Sequence, residues 1–163
     1  MHNTNYEQNI ENLRDNIRQL NDEGMSIMMQ YYADQTKHRK HATSGKDIGK
    51  VGIVIRRSKR NPDVDVYFYW GEYRANRSRE QLESGKIEHF NEPFKKGGGK
   101  TFKYRKSAFK NVPLDWEWEL IDKYEPRLAL IREATKLKRD VIRAEKKASA
   151  AYKKAMSKDV SAD

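Results

Sequence analysis

Two short runs in which large apolar side chains alternate along the chain place the tightest limit on the fold. The runs are VGIVIRR, beginning at Val51, and VDVYFYW, ending at Trp70, and the polar segment between them is centred on Arg60, Asn61 and Pro62. β-Branched and aromatic residues favour strands, and an Asn-Pro pair favours a turn. The sequence therefore predicts an antiparallel hairpin with a basic turn.

The second strand of this hairpin has one set of side chains on each face, because successive residues of a strand point in opposite directions. The set expected to face the core is Val64, Val66, Phe68 and Trp70. Tyr67 and Tyr69 then face outward. Exposed aromatic rings on a sheet can stack unpaired bases, so these two tyrosines are candidate stacking residues.

Periodic apolar residues flank the hairpin on both sides and predict two long helices. Before the hairpin, a stripe with alternating spacings of three and four runs from Ile10 to Tyr31 and predicts a helix over residues 5–33. Gly24 occupies one position of this stripe and leaves room for a close-packed neighbour. The stripe is typical of an intramolecular core, and a coiled-coil seam is the alternative.

The second long helix is predicted over residues 112–157. Acidic residues in its first turns suit the positive end of a helix dipole. Its apolar stripe comprises Trp116, Leu120, Tyr124, Leu128 and Ile131, and then Leu137, Val141, Ala144, Ala148 and Ala151. Pro126 lies within that pattern and predicts a kink or a restart, because proline lacks the amide hydrogen used inside a helix. Residues 158–163 are expected to be disordered.

The segments between these elements show less regular patterns. Residues 34–50 lack apolar periodicity and predict a basic loop. A short helix is expected over residues 78–83, a weak strand over 86–90, and a further strand over 100–106. These strands would extend the sheet beyond the hairpin.

Composition supports a single domain. A chain of 163 residues with 36% apolar and 36% charged residues can form one modest core. We expect an α+β fold for residues 1–163, in which a small antiparallel sheet of three to four strands, with the hairpin at its centre, packs against the two long helices. The sheet and its connections, residues 50–110, form the basic region of this domain.

The absence of cysteine excludes a disulfide scaffold, a thiol nucleophile and every cysteine-ligated metal site. No apolar run is long enough to span a membrane, and the initial MHNTNYEQNI lacks the features of a secretion signal. We therefore expect a cytoplasmic protein with no membrane partner.

Basic residues are concentrated around the predicted sheet. The formal net charge is +10, yet residues 1–36 include two basic and six acidic residues, whereas residues 37–60 include nine basic and one acidic. Residues 86–110 include eight basic and two acidic residues. This local surplus indicates a polyanionic partner, and double-stranded DNA is expected because lysine and arginine release its condensed counterions. The candidate DNA-binding residues are Arg56, Arg57, Lys59, Arg60, Lys95, Lys96, Lys100, Lys103, Arg105 and Lys106.

No arrangement typical of an active site accompanies this charge. His38 and His41 lie in the predicted basic loop, away from any strand that would present a metal-binding pair. Tyr31 and Tyr32 could form a paired nucleophile, but Tyr31 belongs to the apolar stripe. The glycines at residues 97–99 lack the GxxxxGK[ST] spacing of a phosphate loop. We expect a protein that is not an enzyme, with no catalytic residue, metal or cofactor.

Four stretches of the sequence carry a family resemblance. They are GIVIRRS at residues 52–58, VYFYW at 66–70, KKGGGKTFKYRKSAF at 95–109 and WEWELIDKYEPRLALIRE at 116–133. Together they resemble the MobI-type conjugative transfer proteins, which are mobilization factors of integrative and conjugative elements and related plasmids. The resemblance implies a DNA-binding accessory protein that binds at or near the transfer origin and assists relaxase recruitment, with no catalytic residues to carry over.

The sequence leaves two other functions open. A protein-interaction module, such as an inhibitor or adaptor encoded by a mobile element or phage, would use the regular stripe of the first helix, and the helices could also form a homodimer. An RNA-binding protein would share the basic and aromatic surface.

Overall fold

Two long helices pack against a small hairpin in this α+β chain. The structure, a computed structural model, describes residues 3–40, 49–74, 78–96 and 101–159. The elements are, in chain order, helix α1 (Asn3–Lys40), strands β1 (Val51–Arg57) and β2 (Val66–Glu72), the short helix α2 (Arg79–Glu83) and helix α3 (Asp115–Asp159). Single 3-10 turns occur at Ile87–His89 and Lys106–Phe109.

The predicted hairpin is confirmed. Its strands pair antiparallel in one continuous register, from Val51 opposite Glu72 to Arg57 opposite Val66. The turn is closed by the carbonyl oxygen of Asn61, which accepts hydrogen bonds from the two residues before β2 begins. On the face expected to be buried, Val66, Phe68 and Trp70 are indeed buried, whereas Val64 precedes the strand and is half-buried.

The expectation of three or four strands is not met, because among the described residues only β1 and β2 form a sheet. Residues 87–89 form a 3-10 turn, and residue 86 makes only an isolated bridge to Ile55. Residues 101–105 contain no strand and lead into the second 3-10 turn; Lys100 lies outside the described residues. By contrast, the short helix expected over 78–83 is present as α2, where Ser78 and Gln81 form a capping box.

The outer edge of β1 needs no third strand, because side chains of the helices occupy its hydrogen-bonding groups. The Tyr31 hydroxyl donates to the carbonyl oxygen of Val51 at 2.7 Å. The Tyr32 hydroxyl donates to the carbonyl oxygen of Ile53 at 2.9 Å and accepts from its amide at 3.1 Å. A Glu117 carboxylate oxygen accepts from the Val51 amide at 3.0 Å. We call these contacts the β1 edge.

The outer edge of β2 is covered by arginines from α3. Arg132 Nε donates to the carbonyl oxygen of Phe68 at 2.9 Å. Arg139 Nη2 donates to the carbonyl oxygen of Val66 at 3.3 Å. We call these contacts the β2 edge. Edge carbonyls that would otherwise recruit another strand are therefore satisfied by side chains.

Helices α1 and α3 run antiparallel along one another. Near one end of the pair Arg127 donates to Gln30 at 2.9 Å, and near the other end Ile17 packs with Ile142. Helix α1 reaches Lys40, so the prediction of a loop from residue 34 is wrong for residues 34–40. Asp34 stabilises this extension, because it pairs with Lys37 on its own helix and with α3.

Helix α3 departs from its predicted pattern in two respects. It continues through Pro126 from Asp115 to Asp159, so no restart occurs and residues 158 and 159 are helical. Its stripe is buried as far as Ile131 and then continues through Thr135 and Ile142. The predicted continuation is wrong, because all of its residues are exposed: Leu137, Val141, Ala144, Ala148 and Ala151. Two apolar stripes overlap in this sequence, and only one faces α1.

Trp70 lies at the centre of the core. Its ring makes edge contacts with Tyr31, at 5.1 Å between centroids, and with Phe109, at 5.8 Å. Gly24 of α1 lies directly against the Phe68 ring, and any β-carbon at residue 24 would overlap that ring. The gap in the α1 stripe is therefore filled by the hairpin, which brings the sheet close to the helix backbone.

Candidate nucleic-acid interface

The register of the hairpin separates two neighbouring arginines that the sequence grouped together. Arg56 lies opposite Tyr67, so both side chains are on the face away from α1. Arg57 is on the other face, where its Nη1 donates to the carbonyl oxygen of Pro62 at 3.1 Å. One of the two arginines therefore accompanies the exposed tyrosines, and the other does not.

A groove between β2 and α3 contains those tyrosines. We call it the α3 groove; its volume is about 250 Å³, and its polar and aromatic lining includes Tyr67, Tyr69, Lys96, Phe102, Arg132, Lys136, Arg139, Asp140 and Arg143. The Tyr67 and Tyr69 rings stack at 6.4 Å between centroids. The Arg139 guanidinium lies 4.4 Å from the Tyr67 centroid, in a cation–π contact.

A second depression adjoins the α3 groove and shares Tyr69 and Lys96 with it. We call it the outer cleft; its volume is about 440 Å³, and its charged lining also includes the cations Arg56, Arg74 and Lys95 and one carboxylate, Glu92. Among the described residues, no acidic side chain pairs with Arg56, Lys95 or Lys96. Burial, together with the nearby Arg132, lowers the pKa of Lys96. A bound anion would counteract that loss of proton affinity.

Acidic residues balance only part of the charge in the α3 groove. Arg132 forms a bidentate pair with the buried Glu125, with N···O distances of 2.9 and 3.1 Å. Arg139 Nε lies 3.2 Å from Asp65. Asp140 is shared between Lys136 and Arg143. These pairs leave a positive surplus in the groove, to which the unpaired cations of the outer cleft add.

The remaining predicted DNA-binding residues lie elsewhere. Lys59 and Arg60 are exposed at the hairpin turn. A third depression, lined by Lys103, Arg105 and Lys106, lies on the other side of Tyr104 from the outer cleft. There Lys106 already pairs with Asp122 at 3.4 Å and lies over the Trp118 ring. The structure therefore brings together Arg56, Lys95 and Lys96 but not the whole predicted set.

A model of the MobI protein family matches residues 20–146. The chain belongs to the MobI family. The resemblance seen in the sequence is thereby confirmed, and it indicates a role related to mobilization. No curated protein and no solved structure matches the chain. The matched residues include the hairpin, the outer cleft and the whole α3 groove.

Sequence reasoning missed the basic residues that α3 of this MobI-family protein contributes. Arg132, Lys136, Arg139 and Arg143 recur at spacings of four, three and four residues, which places them on one side of a helix. This basic stripe was visible in the sequence. Its importance was not, because only the fold shows that it faces the outward tyrosines of β2.

The residues considered for catalysis have structural roles. Tyr31 and Tyr32 are buried with their hydroxyls bonded to β1, and burial raises the pKa of both well above the ordinary value. Neither is available as a nucleophile. His38 lies in α1, not in a loop, and stacks on Trp116 at 5.0 Å, whereas His41 is outside the described residues.

Metal-binding clusters and membrane-spanning helices are both absent from the described residues. Residues 3–40, 49–74, 78–96 and 101–159 contain no group of three histidine or acidic side chains placed to hold a metal ion. No helix in these ranges combines the length and the apolar character needed to cross a bilayer.

Proposed function

We propose that this MobI-family protein is a DNA-binding accessory protein of conjugative transfer, which binds duplex DNA at or near the transfer origin and assists relaxase recruitment. The observation that carries the proposal is the continuous basic and aromatic surface formed by the outer cleft and the α3 groove. Three cations there, Arg56, Lys95 and Lys96, have no acidic partner among the described residues, so phosphates can pair with them without breaking an existing ion pair.

In the proposed mode of binding, phosphates contact the lysines and the exposed end of the α3 basic stripe. Arg56 lies near the end of β1, one residue before Arg57 and the turn. A two-stranded ribbon fits the major groove of B-form DNA, where arginine can bond the O6 and N7 atoms of guanine. The lysines would then supply affinity, and Arg56 together with the turn residues Lys59 and Arg60 would supply contacts to bases.

Arg56 and Arg57 form a matched pair for testing this surface. Both are exposed, both carry one positive charge, and they lie on opposite faces of the hairpin. We expect Arg56→Gln to weaken duplex binding by about 1–3 kcal/mol through the lost contact to a base, and to reduce the slope of log affinity against log salt by less than about 0.9, the value for one lost phosphate contact. Arg57→Gln should have a smaller effect on both. Equal losses from the two substitutions would contradict binding by the outward face.

Recognition of the transfer origin needs a separate experiment. The purified protein is incubated with sheared DNA of its source element and of the host chromosome at about 150 mM salt, where weak electrostatic binding is largely suppressed. Sequencing the retained DNA should show enrichment of the transfer origin. Uniform retention would contradict origin recognition while leaving DNA binding intact, and no retention would contradict the whole proposal.

The outward-facing tyrosine pair, in which Tyr67 is exposed and Tyr69 is half-buried, favours a second candidate ligand, single-stranded nucleic acid, including RNA. Stacking on aromatic side chains contributes about 1–3 kcal/mol per base. If this ligand is correct, replacing Tyr67 and Tyr69 by leucine will weaken binding of single strands and leave duplex binding nearly unchanged. Competition between duplex DNA, single-stranded DNA and RNA of one sequence measures the preference directly.

A further inference from the structure

Helix α3 carries a second apolar stripe, most of which is exposed in the described part of the protein. Its large side chains are Leu130, Leu137 and Val141, which are 66%, 59% and 47% exposed. Small residues continue it at the same alternating spacings of three and four: Ala134, Ala144, Ala148, Ala151 and Ala155. In a chain whose mean hydropathy is −1.08, a regular stripe of this kind marks a contact surface.

Its spacing is that of a coiled-coil seam, in which positions a and d of a seven-residue repeat face a partner helix. We infer that this stripe, hereafter the α3 seam, pairs with the α3 seam of a second copy of the chain, with the two helices antiparallel and the centre of the contact between Val141 and Ala144. The seam lies on another side of the helix from Lys136, Arg139 and Arg143, and Asp140 borders both the seam and the α3 groove.

The sizes of the side chains favour the antiparallel arrangement. With Val141 opposite the partner's Ala144, Leu137 lies opposite the partner's Ala148, and Leu130 lies opposite the partner's Ala155. Each large residue therefore faces a small one, as close packing requires. The antiparallel register places alanine against alanine only where residue 134 meets residue 151. A parallel pair would do so at all five alanine positions and would place leucine against leucine, which would leave the alanine layers poorly filled.

The charges beside the seam favour the same arrangement. In the antiparallel register the flanking pairs are Glu133 with the partner's Lys154, Asp140 with the partner's Lys147, and Lys138 with the partner's Glu145. All three pairs are of opposite charge, and the two-fold symmetry repeats each of them. In a parallel pair Asp140 would instead face the partner's Glu145, which is a repulsive contact.

Two alanines on α3 provide a matched test of the contact. Ala148 belongs to the seam, whereas Ala150 is exposed on the same helix but outside it. In sedimentation analysis of the full chain we expect a mass of twice 19.2 kDa for the parent protein and for Ala150→Asp. Ala148→Asp should sediment as a monomer. A parent protein that is monomeric at its highest soluble concentration would overturn the inference, as would equal behaviour of the two variants.

The direction of pairing is tested by disulfide formation, since the chain has no cysteine of its own. Leu137→Cys and Ala148→Cys are prepared separately, mixed and oxidised. In the antiparallel pair, residue 137 faces residue 148 of the partner and lies roughly 16 Å along the helix from the partner's residue 137. A disulfide forms only when the Cα atoms are within about 7 Å. Crosslinks should therefore form only in the mixture.

Crosslinking of either variant alone would show a parallel pair and overturn the antiparallel register. A dimeric mass without crosslinks in the mixture would overturn it as well. Ala150→Cys mixed with Leu137→Cys is the matched control, because residue 150 lies outside the seam and should not crosslink.

Discussion

Both edges of the hairpin have backbone groups that no neighbouring strand in the described part of the chain satisfies, and different side chains bond to them at each edge. The β1 edge is closed by buried hydroxyls and one buried carboxylate, which hold the strand against α1 and the start of α3. The β2 edge is closed by arginines, whose long side chains bring several donors to the strand while their charge stays near the groove. The β1 edge therefore gives stability alone, and the β2 edge gives both stability and a positive groove.

The exposed fraction of the arginines increases along α3, from those that support the sheet to one on the surface of the groove. The Arg132 side chain is 9% exposed and lies in the buried network with Glu125, whereas Arg139 is 15% exposed. Arg143, one turn further, is 72% exposed and donates to Asp140 rather than to a strand carbonyl. Residues of one type on one stripe thus range from core support to a surface available for binding.

The largest expected effect comes from breaking the buried pair that supports the β2 edge. In Glu125→Ala, Arg132 keeps its charge without an acidic partner, and the indole nitrogen of Trp70 and the amide of Tyr104 lose their acceptor. We expect a loss of about 3–5 kcal/mol in the free energy of unfolding, measured by urea denaturation. Glu119→Ala, at an exposed position of the same helix, should change it by less than about 0.5 kcal/mol.

If Glu125→Ala does not fold, Glu125→Gln provides the same comparison with a smaller loss, because the amide oxygen can still accept one bond. A loss within the error of the Glu119 control would mean that the pair does not support the β2 edge.

At the β1 edge a smaller loss is expected, because the group removed is neutral. Tyr32→Phe deletes one hydroxyl and leaves the buried amide and carbonyl of Ile53 without that partner. The expected loss is about 1–3 kcal/mol in the free energy of unfolding. Tyr67→Phe removes a hydroxyl from an exposed ring and should be neutral. An equal effect of the two substitutions would contradict the edge role of Tyr32.

Exchanging arginine for lysine separates geometry from charge at the β2 edge. Arg139→Lys keeps the charge but loses the planar donor group that reaches the strand carbonyls, so we expect about 1 kcal/mol of destabilisation. Arg143→Lys should change neither stability nor duplex affinity, since only its charge contributes. Thermal denaturation and DNA titration of both variants measure the difference. Destabilisation by Arg143→Lys would contradict the view that only the charge of Arg143 contributes.

The smallest effect expected is a pH dependence of the stability that Glu117 contributes at the β1 edge. Burial raises the pKa of Glu117 above its ordinary value of 4.5, although backbone amides partly oppose the shift. The folded protein therefore binds this proton more tightly than the unfolded chain does, and the contribution of Glu117 to stability falls as the pH rises above 4.5.

Glu117→Gln cannot ionise, so the parent protein should lose stability relative to this variant as the pH increases. Urea denaturation of both proteins over a pH series measures that difference. A difference that stays constant with pH would show that the pKa of Glu117 is not raised by folding.

The parts of the fold that sequence could predict are those fixed by local spacing. Alternation identified both strands and the buried face of Phe68 and Trp70, and periodicity identified both long helices. The sheet was overestimated because nothing near Tyr32 in sequence indicates that its hydroxyl replaces a neighbouring strand. The continuation of the α3 stripe was wrong because Leu137 and Ile142 belong to two overlapping patterns, and only tertiary packing selects the buried one.

The candidate site could be predicted only in part, because local spacing identifies single residues whereas tertiary packing decides which of them come together. Arg56 and Tyr67 were identified from the charge and alternation of the hairpin, but the register was needed to exclude Arg57 from their face. The contribution of Arg139 depends on a contact 73 residues away, between α3 and β2. No pattern within a single element carries that information.

The uneven distribution of charge also affects how the molecule is oriented when it approaches a charged ligand. The acidic residues 1–36 lie mainly in α1, behind the hairpin, whereas the unpaired cations lie on its outward face. Such a separation of charge is an electric dipole. In the field of the proposed DNA ligand such a dipole would experience a torque that turns the outward face forward, so a greater share of encounters would begin in the orientation proposed for binding. This pre-orientation weakens as salt shortens the range of the field.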